Sequence, residues 1–145
     1  PSSGQALLQV PGSTAIATSA DEPGLIYDVL AVNPASLASR KADWEKVVTV
    51  WYKTVDYILD DATNADALSI MAARVGLTAQ EYAPFLKGTK LLTLDEAKKV
   101  FVKAEGFGSL YGSSKISDDF NLKYEVYPDA QALDGYIDSS ITTAM

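Results

Sequence analysis

Cysteine and histidine are both absent from this 145-residue sequence. Ordinary zinc sites, Cys or His nucleophile systems and thiol redox chemistry are therefore excluded within the chain. No metal and no cofactor is expected. Absence of cysteine is compatible with an exported bacterial protein. Basic residues are scarce: 12 Lys and Arg stand against 19 Asp and Glu, a net charge of −7. Binding to phosphate backbones needs a basic footprint, so nucleic acid and anionic membrane are not expected partners. No apolar run approaches the ~18 residues of a membrane span. No signal peptide is seen either, and the chain opens on Pro1 rather than Met. That opening reads as the start of a fragment or a boundary left by processing.

What is present suits a packed protein. Hydrophobic residues make up 48% of the chain and mean hydropathy is near zero, which argues against disorder. The length fits one domain, or one and a fraction.

Gln5 to Val10 is apolar and stops at the turn signal Pro11-Gly12, as the end of a helix would. Thr14 to Ser19 alternates weakly among β-tolerant residues and reads as a strand. After the loop Asp21-Glu22-Pro23-Gly24, Leu25 to Val32 is a near-continuous apolar run broken by Asp28. Such a run fits a strand covered on both faces of an α/β sheet. Asn33-Pro34 then starts a short helix to about Arg40, with an N-cap acceptor followed by proline at the first position.

From Asp43 to Leu59 the periodicity is clearest. Trp44, Val47, Val48, Trp51, Val55, Ile58 and Leu59 fall on one helical face, which reads as core rather than as a ligand-stacking box. Asp60 to Asn64 breaks the helix, a second runs from Ala65 to Val75, and Gly76 suits its C-cap. Thr78-Ala-Gln-Glu81 and Thr93-Leu-Asp-Glu96 match the capping box and open helices near 79–87 and 94–104. Lys90 to Leu92 reads as a short extended segment. Helices are also expected from Leu110 to Asn121 and after Pro128-Asp129. Two strands followed by helices make a poor self-contained sheet, so the pattern asks for a partner.

Paired carboxylates occur at Asp60/Asp61 and Asp118/Asp119. Adjacent acids at helix junctions usually cap and solubilise rather than catalyse. Asp60 to Asp66 carries acids but lacks the glycine turn of a calcium loop. No Gly-Lys-Ser/Thr phosphate loop exists. Thr18 to Tyr27 is the segment that stands out for ligand contact, with hydroxyls, Asp21, a Pro-Gly turn and Tyr27 between two strands.

Four segments taken in order resemble the C-terminal half of the nitrate/sulfonate/taurine class of periplasmic solute-binding proteins. Pro1 to Gln9 looks like the helix after that family's Trp-Asp/Glu-Pro segment. Thr18 to Pro34 looks like the return crossover into the first lobe. Trp44 to Leu59 and Ala67 to Gly88 are similar to the helices that follow.

The resemblance implies an α/β chain that is part of a two-lobe type II periplasmic-binding-protein fold, helix-rich with two or three strands. Residues 1–17 would be the tail of the second lobe, and 18–145 the C-terminal part of the first, with the N-terminal half missing. It implies a non-enzymatic solute-binding component of an ABC importer, periplasmic or extracellular and membrane-associated through its permease. The ligand would be a small polar molecule such as a sulfonate, nitrate or heterocycle, in an interlobe cleft. Ser19, Asp21 and Tyr27 are the candidate ligand-binding residues. Asp21 disfavours an anion and suits a cationic or neutral hydrogen-bonding ligand better. The alternatives are an enzyme of the related pyrimidine-synthase branch, a ligand-sensing module and a helical interaction domain.

Overall fold

A computed structural model describes residues 2–145; Pro1 lies outside them. Among the described residues it contains helices and no strand. The α/β expectation is therefore corrected. Thr14 to Ser19 is irregular, and no regular structure is assigned from Tyr27 to Asn33. The physical reason lies in pairing. A strand is stabilised by a ladder partner and by cover on its faces. The backbone from Asp28 to Val32 makes no hydrogen bond among the described residues. Ile26, Val29 and Leu30 stay exposed. The third extended segment, Lys90 to Leu92, is likewise unpaired loop.

The chain divides into two compact units, one of the residues up to Leu30 with Lys99–Ser139, the other of Ala31–Lys98 with Ser140–Met145. In the second unit, α2 (Pro34–Ser39) starts where Asn33 Oδ1 accepts from the Ala35 and Ser36 amides, at 2.9 and 3.3 Å. α3 (Lys41–Leu59) follows almost at once. Its buried face is centred on Tyr52, Val55 and Ile58, with Trp44 and Val48 half-buried. The expected stripe is thus partly displaced: Val47, Trp51 and Leu59 are exposed, and Tyr52 takes a buried place. A stripe wider than its neighbours can cover leaves one flank in solvent, and here α4 and α8 cover the Tyr52 side.

α4 (Asn64–Arg74) begins after a turn in which Asn64 Nδ2 donates to the Ile58 carbonyl at 2.7 Å. It ends at Gly76, whose φ of 71° is the left-handed value that favours glycine. α5 (Ala79–Lys87) opens with the expected capping box, both halves formed between Thr78 and Glu81. Pro84 stands inside it and withholds one helical amide. α6 (Leu94–Val100) starts at the Thr93–Glu96 pair, where Glu96 accepts the Thr93 amide at 3.0 Å. α8 (Ser140–Ala144) packs on α3. There Tyr52 and Thr142 share a buried hydroxyl–hydroxyl hydrogen bond of 3.4 Å.

The first unit holds α1 (Ser2–Gln9) and α7 (Leu110–Lys123), with a 3-10 turn at Leu133–Gly135 against α7. The helix expected after Pro128 is therefore only that turn and the short α8. Ser109 caps α7, accepting from the Tyr111 amide at 3.2 Å while donating to the Val102 carbonyl at 2.7 Å.

A half-open apolar groove as the candidate functional site

The groove forms inside the second unit from the C-terminal end of α3, from α4 and α5, and from the residues just after α5. Its volume is about 360 Å³, within the range of small-molecule sites. Each helix brings its residues by ordinary register. Ala83, Leu86 and Lys87 lie three and four residues apart, so α5 turns them to one side, and the Thr78–Glu81 box fixes where that helix begins. α4 contributes Asn64 and Leu68, while α3 ends in Ile58 and Leu59. Thr89 and Leu91 complete the wall.

Two of its three polar side chains each give one donor to a nearby main-chain carbonyl. Asn64 donates to Ile58, and Thr89 Oγ1 donates to the Phe85 carbonyl at 3.4 Å. The third is Lys87, among the described residues the only charged group of a wall that holds no acid. Its neighbour in sequence, Lys90, pairs with Glu96 at 3.0 Å instead. That pairing and the Thr93 amide hold the Glu96 carboxyl below the usual glutamate range, the amide being the larger cause. Sequence reading took Ile58 and Leu59 as core positions and singled out none of the groove residues for ligand contact. The capping box was the available signal for the register of α5, but nothing in one helix tells which other helix it meets.

The candidate ligand-binding residues of the sequence lie outside this groove. Ser19 is exposed. Asp21 is exposed too, and its Oδ2 accepts from the Thr18 amide at 2.6 Å and the Thr18 hydroxyl at 3.3 Å, closing a local turn. Tyr27 is tied 80 residues away, its hydroxyl donating to the Phe107 carbonyl at 2.7 Å. None of the three lines the α3–α4–α5 groove or the recess of about 370 Å³ at Leu122 to Pro128.

The adjacent carboxylates also part company. Asp118 is buried and accepts from the Tyr127 hydroxyl at 2.8 Å and the Gln131 amide at 3.1 Å. Burial, and then this carboxylate, push the Tyr127 phenol up. Asp119 instead pairs with Lys115 on the surface. Asp60 Oδ1 accepts from the Ala62 amide at 2.8 Å and so serves its turn. Among the described residues no group of three or more His, Cys, Asp or Glu could hold a metal ion, and no helix is long and apolar enough to cross a membrane. In comparisons with known proteins, no family model, no curated protein and no solved structure matches this chain.

Proposed function

We propose that the chain is a binding protein rather than a catalyst, the solute-binding component of an ABC importer or a part of one, and that it works against a second polypeptide surface. The observation that carries the second half is the imbalance of its apolar side chains. Val55 is the one large apolar side chain among the described residues that is fully buried, while Ile26, Val29, Leu30, Val47, Val50 and Trp51 are all exposed. On α3, Val47, Val50 and Trp51 stand at i, i+3 and i+4 and so form one exposed apolar flank, the kind of patch that marks an association surface. Support for the transport half is the ordered resemblance of four segments. The solute in this reading is a small polar molecule such as a sulfonate, nitrate or heterocycle.

Intact mass under denaturing conditions, beside native mass of the same purified material, tests this reading. A second polypeptide of stoichiometric amount is the expected result, and that complex is then titrated with taurine and nitrate. A lone monomer that unfolds cooperatively and binds neither overturns it. The second reading, a helical interaction domain, is favoured by the helices-only content of the described residues; it expects that lone monomer.

A further inference from the structure

We propose that the α3–α4–α5 groove is a binding site for a compact organic monoanion with an apolar body, of the chemistry of a medium-chain carboxylate. This goes beyond the importer reading and does not depend on it. Volume, wall and charge agree on one class of occupant. About 360 Å³ of half-open space admits a chain of roughly eight carbons and is small for a folded peptide element. The wall at Leu68, Leu86 and Leu91 offers no hydrogen-bonding side chain to a polar body. Its neutral polar groups, Asn64 and Thr89, each give one donor to a main-chain carbonyl, which leaves one Asn64 N–H as the neutral donor of the wall.

The third polar group is Lys87, whose ammonium has no ion pair or hydrogen bond among the described residues. It lines a groove without a carboxylate, on a chain of net charge −7. The wall thus carries one cation while the chain as a whole is acidic. An aliphatic amine would meet repulsion there, and a neutral alcohol would gain burial without the charge. A lysine stem also lies along apolar surface while its head reaches the rim. It can therefore meet a carboxylate whose tail points inward.

The test uses octanoate, octan-1-ol and octylamine on the full chain, below their self-association limits, followed by amide NMR. Saturable octanoate binding with a Kd of about 0.1–1 mM is expected from ligand size. Shifts should be confined to α5 and residues 88–91 and the ends of α3 and α4. Lys87→Met should weaken octanoate about three- to fivefold, as an exposed ion pair allows, and should not weaken octanol. Ala83→Phe, which fills the recess, should weaken both ligands.

Octylamine binding as tightly as octanoate overturns the proposal. So does octanoate binding that is indifferent to Lys87→Met, shifts centred elsewhere, or absence of saturation below about 5 mM. Circular dichroism shows whether Ala83→Phe keeps its helices. If it does not, the charge discrimination of the native chain and of Lys87→Met decides the matter.

Discussion

The two units are held by different kinds of interaction. Among the described residues, the six buried hydrophobic ones, Tyr52, Val55, Ile58, Ala67, Ala72 and Ala97, all belong to the second unit. The first unit instead buries Ser109, Ser113 and Asp118. It is closed by polar and backbone contacts: Tyr27 to Phe107, Ser109 to Val102, and Asp118 to Tyr127 and Gln131. Apolar burial is non-directional and tolerates small shifts. A buried hydrogen bond or a backbone approach tolerates few. The first unit should therefore be the more brittle of the two under small, local changes.

Gly24→Ala should expose that brittleness most. Gly24 has φ 89°, and a Cβ there would lie 2.0 Å from the Phe107 carbonyl oxygen. Left-handed strain and overpacking against backbone together predict a loss of about 3–5 kcal/mol. Gly76→Ala in the second unit is the matched control. It has φ 71° but open space around the added carbon, so only about 1–2 kcal/mol is expected. Urea melts of the two variants measure the difference; equal losses would break the contrast between the units.

Asp118→Ala comes next. It leaves the Tyr127 hydroxyl and the Gln131 amide without their acceptor, an expected cost of about 2–4 kcal/mol. Its counterpart, Val55→Ala, removes apolar volume from the second unit's core and should cost about 2 kcal/mol. Amide exchange localises each effect. Asp118→Ala should deprotect α7 and the chain around Gln131, Val55→Ala the centre of α3. Protection lost equally in both places would mean that the units share one stabilising core.

The same contrast explains what the sequence makes legible. Caps are short-range, so Asn33-Pro34, Thr78–Glu81 and Thr93–Glu96 announce α2, α5 and α6 within a few residues. The length of α3 is equally plain. Which flank of its wide stripe is covered is a property of α4 and α8, so Trp51 and Tyr52 exchange places relative to the simple pattern. A strand is a property of two segments. Leu25 to Val32 has the composition of one, but no partner strand stands among the described residues. The contacts that close the first unit span up to 80 positions, with no periodicity to betray them. The groove at Lys87 fails to show for a related reason: three helices each carry an unremarkable share of it.

Thr78→Ala is a smaller perturbation and sharpens the comparison from the second unit's side. The cap is surface-exposed, and its loss should cost about 1 kcal/mol, read as fraying of α5 by circular dichroism and exchange. A cost matching that of Asp118→Ala would mean that local signals, not the core, hold the second unit.

The smallest expected effect is the acid response of that cap. Hydrogen bonds from the Thr78 amide, and then from its hydroxyl, hold the Glu81 carboxyl below the usual glutamate range. A carboxyl depressed on folding contributes stability that is complete above its unfolded value and is lost as pH falls through the folded one. The Glu81 contribution should therefore fade only below about pH 4.3. Glu81→Gln removes the titrating group. The urea midpoint of the native chain should consequently fall more steeply with acid than that of the variant, and the two curves should run parallel above about pH 6. Tyr57 gives the opposite sign. Its hydroxyl donates to Asp66 at 2.7 Å, which raises the phenol, so that contribution is lost as pH rises through the raised folded value. Tyr57→Phe should flatten the alkaline side alone. Both effects are exposed, local and small, as expected of a unit whose stability rests on apolar contacts. An acid slope in Glu81→Gln equal to that of the native chain would assign the loss to other carboxylates and remove this cap from the account.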